Sequence, residues 1–166
     1  MNVKFKLLRR TSRMPESHNG NWHDCYVSGA AVLKSEAVEN WGFDWRDAIV
    51  RMQDRGVIHY QPGDIVALFL GFSAQMEPGY EGHVLPRSST FTKYGLLLTN
   101  SMGIVDDTYC GDEDEWRAVM YATREGHFRV GERLVQISFE KTLNVTFERV
   151  ETLGNENRGG YGSTGN

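Results

Sequence analysis

The chain has no surplus of positive charge. Its 166 residues hold 18 Lys and Arg against 22 Asp and Glu, a formal net charge of −4. That balance argues against a basic groove tracking a long nucleic-acid backbone, although a small anion held by a few local donors is untouched by the total. It has no long hydrophobic run either. The longest, Ile65 to Leu70, stops at Gly71, far short of the roughly 20 residues that cross a bilayer as a helix. Cysteine is scarce: Cys25 and Cys110 show no metal-ligand spacing, so two free thiols in a reducing cytoplasm are the plain reading and a lone disulfide the alternative. The five histidines are scattered, and no clustered Cys and Glu signature marks a zinc-dependent nucleobase deaminase. Lys4, Lys6, Arg9 and Arg10 interleave with apolar residues, and no apolar stretch or small-residue cleavage site follows, which argues against an export signal. There is no internal repeat and no long block of one charge. The length suits one domain with a core of ordinary size.

What is present is a succession of short strand signals divided by turn residues. Val3, Phe5 and Leu7 alternate with Lys4 and Lys6, as in a strand wet on one face. Ser12 to Asn21 is turn-rich, with Pro15 and Asn19-Gly20. Val27–Leu33, a run from Val57, Ile65–Phe69, Tyr80–Leu85, Tyr94–Leu98, Ile104-Val105, Ala118–Thr123, Leu134–Phe139 and Val145–Val150 are strand candidates, with Pro62-Gly63-Asp64 and Pro78-Gly79 as turns between them. Such a series indicates an all-β barrel or sandwich. One stretch differs. Val38, Trp41, Trp45, Ala48, Ile49 and Met52 recur at helical spacing, Ser35 can cap the start, and Arg55-Gly56 suits an end. This predicts one amphipathic helix over Ser35–Arg55, broken if anywhere near Gly42. Its tryptophans serve either core packing or a partner-binding surface.

Three motifs carry chemistry. In Pro86-Arg87-Ser88-Ser89, the guanidinium fork and two hydroxyls at the end of a strand suit the oxyanions of a phosphate chain. The plainer alternative is an ion pair at Arg87, with the serines capping Thr90–Lys93. The stretch Gly103 to Gly111 reads as a tight hairpin whose backbone can approach a flat ligand edge. Within it Asp106 can take a proton from water or hold that water for in-line attack on phosphorus, and Tyr109 can lie against a sugar. Alternatively, Asp106 and Asp107 are turn residues and Tyr109 a packing residue. The closing Arg158-Gly159-Gly160-Tyr161-Gly162-Ser163-Thr164-Gly165 leaves amides open and adds hydroxyls and one stackable ring, or is a solubilising terminus. Gln136 follows Leu134 by two, so a strand directs both to one face, where the amide bonds a phosphate or a neighbouring backbone. Asp24, after Trp22-His23, is a further carboxylate able to face a divalent ion. If the hairpin and the phosphate loop lie apart, the tail cannot easily fold back on its own site, and composite sites between subunits of a closed cyclic oligomer would solve that geometric problem.

Assembled, these residues resemble the deoxyuridine triphosphatase family, especially its shorter bacterial and phage members, over Asp24 and then from Pro62 to Gly165. The resemblance implies an all-β fold, a distorted jelly-roll or β-clip barrel with one inserted amphipathic helix. It forms a single domain over residues 1–166, with the insertion at 34–56 and a mobile glycine-rich arm at 154–166 that closes over the site. It implies a cytoplasmic homotrimer with shared active sites, a Mg2+ cofactor, and hydrolysis of dUTP to dUMP and pyrophosphate, with neither nucleic acid nor membrane as a partner. By the same resemblance Asp106 is the catalytic carboxylate. Arg87, Ser88, Ser89, Gln136, Arg158, Ser163 and Thr164 bind the phosphates, while Asn100, Gly103, Ile104, Tyr109 and Tyr161 bind base and sugar. Asp24 holds the metal through water.

The chain departs from the family pattern in three places. The first motif reads Trp22-His23-Asp24-Cys25 rather than a Gly-Tyr-Asp-Leu type. Arg158 stands closer to Tyr161 than in most relatives, and Lys34–Gly56 is inserted relative to compact members. The insertion can cover a subunit seam, shield a site or bind another protein. Two other functions fit parts of the pattern: a dCTP deaminase, for which no segment presents an acid near the base, and a non-enzymatic regulator working through the inserted helix.

Overall fold

The computed structural model describes residues 1–36 and 42–159. Within them the chain runs as short strands: β1 (Lys4–Leu7), β2 (Glu16–Ser17), β3 (His23–Tyr26), β4 (Gly29–Leu33), β5 (Val57–Tyr60), β6 (Ile65–Phe69), β7 (Phe72–Gln75), β8 (Tyr80–Pro86), β9 (Leu96–Leu98), β10 (Gly103–Asp106), β11 (Arg117–Ala122), β12 (Gly126–Arg129) and β13 (Arg133–Lys141). Two helices interrupt them, α1 (Trp45–Arg51) and α2 (Thr90–Tyr94). One sheet has the order β10-β8-β13-β3-β2, another β4-β6-β11-β9, and the ribbons β1-β7 and β12-β5 complete the set. The pairings are antiparallel.

One apolar core joins the two larger sheets. Val84, Val135 and Ile137 of the first cluster with Val66, Leu68, Leu96 and Met120 of the second. Each such side chain contributes about 1.5–3 kcal/mol on burial. Strand β6 shows why Ile65–Phe69 is apolar without alternation. Val66 and Leu68 enter this core, while Ala67 and Phe69 enter a second one with Ala31, Leu33 and Ala48. A strand covered on both faces needs no polar side. The second cover comes from the inserted segment, whose Phe43, Trp45 and Met52 pack there.

That segment is less helical than its periodicity predicts. Ser35 and Glu36 begin a helical turn, and the expected core positions Val38 and Trp41 lie outside the described residues. Gly42 then takes φ +74, a left-handed conformation that a right-handed helix cannot continue through. Asp44 restarts the helix, its carboxylate accepting the Arg46 N–H at 2.8 Å, and Met52 leaves it with ψ 131. Ala48 is buried, whereas Ile49, expected on the apolar stripe, is exposed.

Other expectations shift too. Tyr94 belongs to α2, because Gly95 at φ +68 ends that helix before β9 begins. Leu7, expected inside, is exposed; Phe5 makes the contact instead, edge-on to Phe72 at 5.1 Å. Strands β2, β3, β7 and β12 were not evident from alternation. Val145–Val150 is no strand: the chain is irregular there, with Leu143 and Val145 exposed and Phe147 96% exposed. Both cysteines are free, Cys25 buried and Cys110 exposed. Among the described residues no helix is long and apolar enough to cross a membrane.

Candidate active site

Strand β8 ends at Pro86, and the chain turns through Arg87-Ser88-Ser89 into α2. The turn is anchored from β13: the Leu134 carbonyl accepts the Arg87 N–H at 3.2 Å and the Thr90 hydroxyl at 2.6 Å. Strand β13 in turn pairs with β3 so that Gln136 stands opposite Asp24. A register shift between Arg133 and Val135 makes Leu134 an extra residue, and such a bulge resets the alternation. Leu134 therefore lies in the core while Gln136 lines an open cavity, against the expectation of a common face. The Gln136 amide donates to the Pro86 carbonyl at 3.1 Å.

This cavity, about 410 Å³, is lined by Asp24, Arg87, Ser88 and Gln136 with His18, Trp22 and Arg133. Asp24 is only 7% exposed. Its carboxylate takes the Arg87 Nε–H at 2.7 Å on one oxygen, and Arg133 at 3.2 Å and His18 at 3.8 Å on the other. The expected alternative of an ion pair at Arg87 is thus realised. Two guanidiniums against one carboxylate leave the cavity with positive charge, and the exposed Ser88 hydroxyl adds a donor. The combination suits oxyanions. Ser89 occupies the cap position of α2 without a side-chain capping bond.

A second cavity, about 440 Å³, opens beside β10 and is lined by Ile104, Asp106 and Tyr109 together with Glu115, Trp116, Arg117 and Trp45. Strand β10 pairs with β8 and not with a strand following it, so Gly103–Gly111 is not the two-stranded hairpin that its glycines suggest. After Asp106 the chain makes a turn, the Tyr109 N–H bonding the Asp106 carbonyl at 3.2 Å. The Asp106 carboxylate accepts the Thr108 N–H at 2.9 Å and also the Thr108 hydroxyl. These bonds, the hydroxyl's first, hold its pKa below the usual aspartate value. Its neighbour Asp107 is committed to the fold, accepting the Gly79 N–H at 2.7 Å. Tyr109 donates its hydroxyl to the Glu115 carbonyl at 3.3 Å, and burial pushes its phenol pKa up. Ile104 is 58% exposed. Gly103 passes close to β8, where an added Cβ would come within 3.2 Å of Val84. Asn100 is exposed in the turn before β10.

The two cavities occupy different ends of β8. Asp106 pairs with Glu81 near its start, and Arg87 lies six residues further along, about 20 Å in an extended strand. Arg158 is exposed in the tail, and Tyr161, Ser163 and Thr164 lie outside the described residues. Several cavity residues are not among the site residues expected from sequence: His18 and Arg133 in the first cavity, and Trp45, Glu115, Trp116 and Arg117 in the second. Arg133 follows Gly131 by two, so an arginine just beyond a glycine turn is a usable signal. Trp45 shows in the sequence only as part of the helical stripe, which points to packing or a partner and not to a cavity. Among the described residues no group of three His, Cys, Asp or Glu could hold a metal ion.

The chain resembles known proteins over most of its length. The family model described as dUTPase matches residues 52–165. The chain is 44% identical to the SPbeta prophage-derived deoxyuridine 5'-triphosphate nucleotidohydrolase YosS of Bacillus subtilis, covering 99% of each chain. It is 33% identical to the deoxyuridine 5'-triphosphate nucleotidohydrolase of Heliobacterium modesticaldum, over 99% of this chain and 97% of that one. Among solved structures, the dUTPase of Staphylococcus bacteriophage 80alpha superposes with a TM-score of 0.66 at 18% identity, over 99% of this chain and 98% of that one, a likeness of fold. With its β-sheet architecture and one helical insertion, this chain belongs to the dUTPase family.

Proposed function

We propose that the chain hydrolyses dUTP to dUMP and pyrophosphate by in-line attack of water on the α-phosphorus, with Asp106 orienting or deprotonating that water. The observation that carries this reading is the state of Asp106. It is an exposed carboxylate kept ionised by Thr108 and lining a cavity beside Tyr109, in a chain of this family. In this reading Tyr109 lies against the deoxyribose, and backbone groups at Asn100, Gly103 and Ile104 read the base edge. Arg87, Ser88, Ser89 and Gln136 hold the phosphates, with Arg158, Tyr161, Ser163 and Thr164 closing over them. Pyrophosphate release should be confined to dUTP in a panel of nucleotides and should depend on magnesium. Ammonia release from dCTP, or no release from dUTP, would overturn the assignment.

Dependence on a divalent metal is the family expectation. Asp24 already engages two guanidiniums, so the residues fit an ion that arrives on the triphosphate and reaches Asp24 through water, not one caged by protein. When bound, Mg2+ would neutralise phosphate charge. The acid limb of turnover follows from Asp106. Because its pKa is lowered, the ionised form persists below the ordinary value of about 3.9. A profile of kcat/KM against pH, which reports the free enzyme, should therefore stay level down through about pH 5 as far as this carboxylate is concerned; an inflection above that assigned to Asp106 would contradict its lowered pKa.

Two observations support a homotrimer with shared sites. Asp106 and Arg87 stand too far apart along β8 to grip one triphosphate together, and Leu143, Val145 and Phe147 alternate along an exposed tail with nothing among the described residues to cover them. Mixing tests this. Asp106→Ala and Arg87→Ala chains, each inactive alone, should regain activity when co-assembled, in up to about a quarter of the sites if the chains mix at random. No recovery in mixed trimers would place each site within one chain. A protein partner at the inserted segment would meet Ile49 and Val50, which α1 leaves exposed while it turns Trp45 and Ala48 toward its own sheet.

A further inference from the structure

We propose that Trp45, carried by the inserted segment, is a substrate-positioning residue that walls the nucleoside cavity and contributes to nucleotide discrimination. This rests on the reading above, in which the cavity beside Asp106 and Tyr109 takes the nucleoside.

The indole is anchored from several sides. The Asp44 cap fixes the first turn of α1, and Ala48, one turn on, is fully buried. Phe43 meets the Trp45 ring edge-on at 5.0 Å and Phe69 does so at 5.8 Å. The Arg117 guanidinium lies 5.0 Å from the Trp45 ring and 5.5 Å from that of Phe69. Arg117 is itself confined: its Nε is buried without a hydrogen-bond partner, and the Glu115 carboxylate stands 3.8 Å away. A ring held by two aromatic neighbours and a guanidinium is pre-organised, so little ordering remains to be lost when a ligand arrives.

The indole is nevertheless not enclosed. Trp45 is only partly buried, and it lines the same cavity as Ile104, Asp106 and Tyr109. If it only filled the second core, any apolar side chain of similar bulk would serve. A rigid ring bordering a cavity with a second ring and an ionised carboxylate does more, because it limits the width available to a bound nucleoside. The insertion thus reaches the chemistry through one side chain, while the rest of α1 covers the outer face of the sheet.

Steady-state kinetics of Trp45→Ala, Trp45→Leu and Trp45→Phe would test this, with Val50→Ala as a control on the same helix at an 86% exposed position. Trp45→Ala and Trp45→Leu should raise KM for dUTP about tenfold with kcat changed far less, and lower the preference for dUTP over dTTP. Trp45→Phe should recover most of both, and Val50→Ala should match the wild type. Leucine keeps an apolar filler for the second core, so it carries the test if the alanine variant does not fold. A folded leucine or alanine variant with unchanged KM and unchanged preference would overturn the inference. Binding of a non-hydrolysable imido analogue of dUTP separates the two claims. If the wild type binds it but does not hydrolyse dUTP, the catalytic reading fails, and Trp45 is judged by the variants' affinity for the analogue. If the wild type does not bind it, both fail.

Discussion

Asp106→Ala is expected to reduce dUTP turnover by roughly 10²–10⁴-fold, the range over which positioned acids and bases act. The fold should be little affected. The side chain is exposed, and the hydrogen bonds it accepts come from Thr108 in its own turn. Loss of such local bonds costs on the order of 1 kcal/mol, well below the stability of a domain. Asp106→Asn sharpens the result, because it keeps the shape and an acceptor for Thr108 while removing the basic oxygen. Both variants should melt close to the wild type and release pyrophosphate far more slowly at saturating dUTP and magnesium. Asp107→Asn makes the contrast, since Asp107 holds Gly79 and its loss should loosen a turn before it touches chemistry. Near-normal turnover in a folded Asp106→Asn protein would remove the carboxylate from the mechanism.

Gly82→Ala should lower stability sharply through a single methyl. A Cβ at Gly82 would lie 2.1 Å from Cη2 of Trp116 and 2.8 Å from its Cζ3. Neither side can withdraw easily. Gly82 is paired on β8 with both β10 and β13, and Trp116 is fully buried against Phe72 at 5.6 Å and Phe139 at 5.9 Å. Overpacking of this kind costs typically 1–3 kcal/mol and occasionally more, so the thermal midpoint should fall by several degrees. Since Trp116 also lines the Asp106 cavity, turnover should fall in the molecules that remain folded. Trp116→Leu made in the Gly82→Ala background should restore part of the stability. A Gly82→Ala melting curve that overlays the wild type would show that the ring has room to move.

The parts of the fold legible in the sequence were those governed by local pattern. Ile65–Phe69 appears as a strand with the expected bounds, because a run buried on both faces announces itself by lacking polar residues. Strand β3 was harder. Its Asp24 is a polar residue that gives a cavity its character, and with His23 before it the strand reads as a loop. The helix was overextended because periodicity persists through Gly42, while the backbone there turns left-handed. Val145–Val150 alternates as a strand does yet has no strand partner among the described residues, and alternation cannot say on which molecule a partner lies. The candidate site divides similarly. Asp106, Arg87 and Gln136 stood out because few residue types suit phosphate chemistry. The bulge at Leu134, the Arg133 contact with Asp24 and the approach of Trp45 arise from register and packing between distant segments.

The contrast between the two thiols has a practical consequence. Cys25 is shut in, with burial and then the adjacent Asp24 charge driving its pKa upward, so it offers reagents almost no thiolate. Cys110 lies open immediately after Tyr109. A maleimide dye would consequently attach at a single point beside that ring, turning the native chain into an optical sensor of occupancy without any engineered residue.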